Sequence, residues 1–162
     1  IEIVDCSQIF GNHGCDGGLP GPTFEFIQNR SLTSESQNPY VGKETKKCKR
    51  VTGIVSVKSW SQVKGRENIR AALKKNKALV AGINADSREF QVYKKGVMKV
   101  SNCDPNALNH GVVLVGFRIE KGQNIYDVRN SWGTKWGERK GHFQIANNDC
   151  GVETDVWTFD LA

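Results

Sequence analysis

The sequence predicts an α+β protein in which helices and loops precede a mainly antiparallel sheet or barrel. Three observations support this fold class. Glycine and proline interrupt residues 1–22 repeatedly, which is typical of loops with close backbone approaches. Apolar residues then recur at helical spacing in residues 22–28 and 67–75. Beyond residue 78 they form short alternating runs separated by turn signals, as strands do.

Two helices are predicted. Pro22 suits the first turn of a helix that runs to Gln28, because a proline there gives up no helical hydrogen bond. The second helix covers residues 67–75, where Ile69 and Leu73 lie on one face. Glu67 favours the positive N-terminal end of that helix.

The strands follow from alternating apolar residues. Turn signals at Lys121-Gly122 and Lys140-Gly141 favour hairpins at those two places. The predicted strands are 53–60, 78–83, 110–117, 124–129 and 142–146, with an edge strand at 157–161.

The size and composition indicate a folded protein. A chain of 162 residues fits one domain, or two small subdomains that share a cleft. Its 38% hydrophobic and 25% charged residues are ordinary globular values, so disorder is not expected. No apolar run approaches the length of a membrane-spanning helix. Because the chain begins at Ile1 rather than Met, we expect it to start inside a longer product.

The formal net charge is +6, and the basic residues cluster in residues 43–50, 64–77 and 94–99. The simpler interpretation is three solvated faces; the alternative is attraction to an acidic partner surface. No base-stacking aromatic residues are interleaved with these lysines, so specific nucleic-acid binding is not predicted.

The five cysteines are Cys6, Cys15, Cys48, Cys103 and Cys150. None has Cys-x-x-Cys spacing, so neither a metal site nor a redox motif is predicted, and no cofactor is expected. Their wide spacing favours disulfides and an oxidising compartment, and the odd number leaves one thiol over. The glycosylation sequon at residues 29–31 also favours an oxidising compartment.

Several motifs carry chemistry. His110 opens an apolar strand, and Asn130 is followed by Trp132. The segments Leu-Asn-His-Gly-Val at 108–112 and Asn-Ser-Trp-Gly-Thr-Lys-Trp-Gly at 130–137 resemble the papain family of cysteine peptidases, of the cathepsin L/B type. So do the segments 4–7, 14–18 and 150–153, in the family's order along the whole chain.

The resemblance implies a papain-like two-subdomain fold. Residues 1–60 would be a remnant of the left, helical and loop lobe, incomplete in this chain. Residues 61–162 would form the right, antiparallel β-barrel-like lobe, with the C-terminal end crossing back. The active-site cleft would lie between the two lobes.

The resemblance also implies the roles of a Cys–His–Asn triad. His110 would take the proton of a cysteine thiol and later donate it to the leaving amine, since only the thiolate is a strong nucleophile. Asn130 would orient the imidazole without adding a second negative charge. Trp132 would shield their hydrogen bond from water, and Trp136 would line the leaving-group side.

No cysteine of this chain fits the nucleophile. The family's spacing places it roughly 20–40 residues before Ile1, on an N-terminal segment that is therefore an expected partner. Without that segment, Phe24, Phe26 and Ile27 are expected to lack packing partners. The resemblance pairs Cys6 with Cys48 and Cys103 with Cys150, and it pairs Cys15 with a cysteine of the absent segment; the alternative is that Cys15 is a buried free thiol.

Substrate-binding residues carry over as well. Gly17 and Gly18 match glycines that pair by backbone with an extended peptide. Asp155 stands where some members have an acid that accepts arginine; the plainer interpretation is a surface aspartate. The remaining matched positions around the substrate are Leu19, Pro20, Gly82, Leu108, Asn109 and Gly111.

Two functions remain open at this stage. The first is a cysteine endopeptidase acting on peptides or proteins, lysosomal, vacuolar or secreted, in which these 162 residues alone are inactive. The chain lacks, between Gly18 and Cys48, the His-His insertion that blocks the cleft in the family's exopeptidase-like members, so the resemblance favours an endopeptidase. The alternative is an inactive papain-fold protein that serves as a structural or binding component of an intracellular assembly. The residue at the nucleophile position distinguishes them.

Overall fold

The computed structural model describes residues 1–49 and 52–162. Arg50, the last residue of the first basic cluster, lies outside the described residues. The chain forms two compact units: Ile1–Ser61 with Phe159–Ala162, and Gln62–Thr158.

Both disulfides implied by the resemblance are present. Cys6 and Cys48 are joined in the first unit, and Cys103 and Cys150 in the second. Cys15 is free and exposed, so the alternative of a buried thiol is wrong.

The first unit contains the N-terminal helices. Helix α1 is Glu2–Cys6 and helix α2 is Pro20–Asn29, with single 3-10 turns at Gln8–Phe10 and Gly14–Asp16. Helix α2 begins two residues before the predicted Pro22, because Pro20 can itself occupy the first helical position. Helix α1 was not predicted from the residue pattern, since five residues are too few to show a helical period.

Helix α2 buries its apolar face within the first unit. Phe24, Phe26 and Ile27 are 5%, 2% and 8% exposed. The ring of Phe24 lies 6.2 Å from that of Trp60 and 5.3 Å from that of Phe159. The expectation that these apolar residues would lack packing partners is therefore wrong, because aromatic residues distant in sequence cover the helix.

One sheet contains the strands of the described residues, in the order β1-β7-β2-β4-β5-β6-β3. Its recorded pairings are antiparallel, except that β3 runs parallel to β6. The sheet is thus mainly antiparallel, as predicted. The strands are β1 Val57–Val63, β2 Leu79–Ile83, β3 Val97–Met98, β4 His110–Glu120, β5 Gln123–Arg129, β6 His142–Ala146 and β7 Val156–Leu161.

Helix α3, Arg66–Asn76, confirms the second predicted helix and extends it by one residue at each end. Ile69 and Leu73, one turn apart, are 0% and 4% exposed and join the core of the second unit. The helix ends at Lys77, whose left-handed backbone closes the last turn. A short helix, α4, follows at Arg88–Gln91.

The two predicted turns differ in what they connect. Lys121 and Gly122 both have positive φ and join β4 to β5 directly, as a type I′ hairpin requires. Lys140 and Gly141 also have positive φ, but they close a local bridge between Glu138 and His142. Strands β5 and β6 are therefore joined by a long loop rather than by a tight hairpin.

This long loop carries three of the predicted site residues. It follows β5 and includes Asn130, Trp132 and Trp136. No helix in the described part of the chain is long and apolar enough to cross a membrane.

Candidate active site

The first residue of β4, His110, meets the residue that follows β5, Asn130. Because β4 and β5 are antiparallel, the start of one lies beside the end of the other, with Val113 opposite Arg129. The Nε2 atom of His110 lies 2.7 Å from Oδ1 of Asn130. The structure thus brings together the two predicted catalytic residues.

The asparagine amide is held in one orientation. The backbone N–H of Ser131 donates to Oδ1 of Asn130 at 2.8 Å, which identifies this atom as the acceptor oxygen. The backbone N–H of Asn130 donates to the carbonyl of Gly141 at 2.9 Å. His110 must therefore donate from Nε2, and in the neutral ring Nδ1 is the basic nitrogen. Within the described residues Nδ1 has no hydrogen-bond partner.

Trp132 packs beside this pair. Its ring lies 5.2 Å from the His110 ring, and 5.2 Å from the ring of Phe90 in an edge contact. Trp132 is 40% exposed, whereas Phe90 is fully buried. Phe90 also lies 6.1 Å from His110, so the imidazole rests against two aromatic rings.

Trp136 anchors the same cluster from the loop. Its indole N–H donates to the backbone carbonyl of Gln91 at 3.0 Å. Its ring lies 5.3 Å from both Phe90 and Trp132. The cluster ties the loop after β5 to helix α4, and through Trp132 it reaches His110.

Phe90 was not predicted as part of the site. Helix α4 has four residues and shows no helical period. The available signal was Ser87, whose hydroxyl accepts from the backbone N–H of Phe90 at 3.1 Å as a helix cap. That signal indicates a helix start but not its nearness to His110.

Three of the predicted substrate residues lie together in the second unit. The N–H of Gly82 donates to the carbonyl of Asp155 at 2.9 Å. A Cβ atom on Gly82 would lie 3.0 Å from Cδ1 of Leu108 and 3.6 Å from Cβ of Asp155. Leu108 and Asp155 therefore both lie close to Gly82, and a larger residue at position 82 would crowd Leu108.

The carboxylate of Asp155 has two partners, and both are neutral. Its Oδ1 atom accepts from Nε2 of Gln62 at 2.8 Å and from the indole N–H of Trp157 at 2.7 Å. Gln62 was not predicted, because it is exposed on β1 and carries no motif.

Asn109 and Gly111 flank His110. The side-chain oxygen of Asn109 accepts from the backbone N–H of Ala85 at 2.9 Å, so it supports the chain that follows β2. Gly111 is opposite Gly82 in the sheet, and a Cβ atom there would meet nothing within 4 Å. The surface beside His110 is thus open at Gly111.

The other predicted substrate residues belong to the first unit. The carbonyl of Gly17 accepts from the N–H of His13 at 2.8 Å. Gly18 lies against Asn12, because a Cβ atom there would be 2.5 Å from the Asn12 side-chain oxygen. That oxygen also accepts from the N–H of Leu19 at 2.9 Å. Leu19 is 63% exposed, and Pro20 begins α2.

Gly18 has a free backbone. Within residues 1–49 and 52–162, neither its N–H nor its carbonyl takes part in a recorded hydrogen bond. Its side-chain neighbour Asn12 also donates to the hydroxyls of Ser7 and Thr23, at 2.9 and 3.0 Å. Asn12, 4% exposed, therefore holds the glycine segment, and the sequence offered no motif to identify it.

The described residues contain no group of three or more His, Cys, Asp or Glu side chains arranged to hold a metal ion. Four of the five cysteines are in disulfides. The exception is Cys15, whose N–H donates to Oε1 of Glu44 at 2.9 Å.

Comparison with known proteins places the chain in a family. Residues 1–159 match the model of the papain family cysteine protease. Cysteine proteinase 3 of Dictyostelium discoideum is 41% identical, covering 94% of this chain and 47% of that protein. A cathepsin L-like protein of Caenorhabditis elegans is 40% identical, with 94% and 48% covered. The chain spans about half the length of these curated relatives.

A solved structure gives the same result. Digestive procathepsin L 3 of Tenebrio molitor larval midgut matches with a TM-score of 0.90 and 30% identity, covering 98% of this chain and 53% of that one. The predicted papain-like α+β fold is confirmed.

Proposed function

This chain belongs to the papain family of cysteine proteases, and we propose that it supplies the general base and its orienting amide to a cysteine endopeptidase. The observation that carries the proposal is the 2.7 Å contact between His110 Nε2 and Asn130 Oδ1. It commits one ring nitrogen to a neutral amide and leaves Nδ1 as the basic atom.

In this proposal His110 transfers one proton in each half of the reaction. Its Nδ1 atom takes the proton of a cysteine thiol, and the thiolate attacks the substrate carbonyl. The imidazolium then donates that proton to the leaving amine, and an acyl-enzyme remains. In the second half the imidazole takes a proton from water, which attacks the acyl group, and returns it to the departing sulfur. Asn130 keeps the ring in one orientation throughout.

We propose that the nucleophile lies on polypeptide outside these 162 residues, together with a glutamine that helps to bind the oxyanion. Four sulfurs of this chain are already in disulfides, and Cys15 stands at a position that resembles one of the family's disulfide cysteines. The chain on its own should therefore hydrolyse no peptide. The two compact units would correspond to the family's left and right subdomains.

The family acts on peptides or proteins. For this chain we propose that Gly18, with its unpaired N–H and carbonyl, hydrogen-bonds to an extended peptide. Asp155, which lies beside Gly82 and Leu108, would accept a cationic side chain of the substrate. At an effective dielectric near 20, opposite charges ~4 Å apart attract by about 4 kcal/mol before desolvation is subtracted.

We propose a lysosomal, vacuolar or secreted location. Two disulfides support an oxidising compartment. Asn29 of the glycosylation sequon is exposed at the end of α2, which agrees with the same route.

The test is His110→Ala in the whole protein, followed by single-turnover acylation with a peptide ester. The variant should keep its circular dichroism spectrum and lose acylation by about 10²-fold or more. His142→Ala is the matched control, because the recorded hydrogen bond of that side chain joins its Nδ1 atom to the carbonyl of Arg139 and not to Asn130. It should acylate like the wild type.

Two results would overturn the proposal. An unchanged acylation rate in His110→Ala would remove this residue from the chemistry. A wild-type protein that never acylates, despite correct folding, would instead favour the inactive papain-fold component. In that case sequencing the position of the nucleophile should reveal a residue other than cysteine.

A further inference from the structure

We propose that Gln62 is a positioning residue that holds the Asp155 carboxylate beside Gly82 and Leu108 and so sets a preference for a cationic substrate side chain. The inference rests on the proposed function, because it concerns the substrate pocket of that same site. It gives Gln62, a residue on β1 that lies in none of the family motifs, a part in selecting the substrate side chain.

Two hydrogen bonds fix one carboxylate oxygen. The Gln62 amide and the Trp157 indole both donate to Oδ1 of Asp155, at 2.8 and 2.7 Å. The backbone of Asp155 is held as well, since its carbonyl accepts from Gly82 at 2.9 Å. The aspartate is thus restrained at both its backbone and its side chain.

The partners leave the charge of Asp155 uncompensated. Neutral donors stabilise an ionised carboxylate without cancelling its charge. Arg66 is paired in a bidentate manner with Glu153, at 2.8 and 3.0 Å, and not with Asp155. In the part of the chain that the structure describes, Asp155 forms no ion pair, and its Oδ2 atom accepts no recorded hydrogen bond.

An apolar side chain, Leu108, flanks the same glycine as Asp155. A Cβ atom on Gly82 would lie 3.0 Å from Leu108 and 3.6 Å from Asp155, so both side chains lie close to this glycine. A leucine side chain and a carboxylate together match a substrate residue with an apolar stem and a charged end. Lysine and arginine have that construction.

Gln62 controls this pocket because it supplies one of the two donors. Without it, the carboxylate would keep only the Trp157 indole as a donor and would be free to rotate. Gln62→Lys should weaken the preference for a cationic side chain more than loss of the amide does. The lysine ammonium group would pair with Asp155 and cancel the charge that attracts the substrate.

The experiment compares two peptides that differ only in the second residue before the cut, arginine or leucine. The ratio of their kcat/KM values is measured for the whole protein and for Gln62→Leu, Gln62→Lys and Asp155→Asn. The Arg-to-Leu ratio should fall about tenfold in Gln62→Lys and Asp155→Asn, and by about threefold in Gln62→Leu. The loss should appear mainly in KM, because a remote charge contact is equal in the ground and transition states.

Gln123→Lys is the matched control. It adds the same charge at an exposed glutamine on the hairpin end of β5, away from the end that carries Arg129. Both kcat/KM values should match those of the wild type.

Each contrary outcome has one meaning. An unchanged Arg-to-Leu ratio in Gln62→Lys would overturn this inference and leave the proposed function intact. A parallel fall in both substrates, with the ratio preserved, would show that Gln62 is merely structural and would also overturn it. A wild type that cleaves neither peptide would overturn the proposed function, and this inference with it.

Discussion

At His110 the two ring nitrogens have different surroundings. Nε2 is committed to Asn130 at 2.7 Å, while Nδ1 has no partner among the described residues. The sequence identified both residue types and their order. Nε2 is the donating nitrogen and Nδ1 the basic one because the N–H of Ser131 holds the Asn130 amide oxygen toward the ring.

Asn130→Ala should therefore impair catalysis more than folding. Without the amide the imidazole can rotate, and a misplaced base of this kind costs roughly 10²-fold in kcat/KM. Steady-state kinetics of the whole protein would measure this. Asn102→Ala, at an exposed position, is the control and should behave as the wild type. Equal rates for both variants would show that Asn130 does not orient the base.

Tyr93 is a second residue whose chemistry depends on burial. Its hydroxyl donates to the carbonyl of Gly96 at 2.7 Å and accepts from the N–H of Gln144 at 3.3 Å. Burial raises the pKa of Tyr93 from 10.0 to about 12, although the Gln144 amide acts in the opposite direction. The folded protein thus holds this proton more tightly than the unfolded chain does.

The sign of the pH effect follows from that raised pKa. The stabilisation is complete below about pH 10 and is lost as the pH rises from about 10 toward 12. In Tyr93→Phe the free energy of unfolding should fall less steeply over that interval than in the wild type. Urea denaturation at a series of pH values measures the difference. Parallel curves would exclude Tyr93 as the source.

Among the elements, the four-residue helix α4 positions the loop that carries Trp132 and Trp136. It places Phe90 in edge contact with Trp132 and Phe143, at 5.2 and 5.1 Å, and near Trp136 at 5.3 Å. The loop after β5 is therefore packed onto α4. The position of Trp132 beside His110 depends on that packing.

Phe90→Ala should destabilise the protein by about 3–5 kcal/mol, because it removes a fully buried ring and leaves a cavity. Chemical denaturation measures the change. Val92→Ala, next to the same helix but at a residue 56% exposed, should change stability by no more than about 0.5 kcal/mol. Similar values for both variants would mean that the aromatic cluster is not a stabilising core.

At the scale of the whole molecule, each compact unit has its own covalent crosslink. Cys6–Cys48 closes 42 residues in the first unit, and Cys103–Cys150 closes 47 residues in the second. Crosslinks of this span restrict the unfolded chain and so raise stability. Disulfides of this kind form and persist in oxidising environments, which supports the location proposed above.

Replacing Cys103 and Cys150 together by serine should lower the free energy of unfolding by about 2–4 kcal/mol. Denaturation of the whole protein under non-reducing conditions measures this loss. Ser101→Ala, an exposed neighbour of the crosslink, should stay within about 0.5 kcal/mol of the wild type. A loss below that margin for the double variant would show that the disulfide adds no stability.

The sequence alone determined the features that depend on neighbouring residues. The amphipathic pattern of α3 and the Lys121-Gly122 turn are local signals, and both appear in the structure. The order of the His and Asn motifs is likewise a property of the sequence, and it sufficed to identify the family.

Only the tertiary structure decided which distant side chains meet. Gln62 and Asp155 are 93 residues apart, and Phe90 reaches His110 through a helix too short to show a period. The ring of Phe24 packs against that of Phe159, which lies near the C-terminal end of the chain. Such contacts arise from strand pairing and packing over long sequence separations, and no local pattern of residues encodes them.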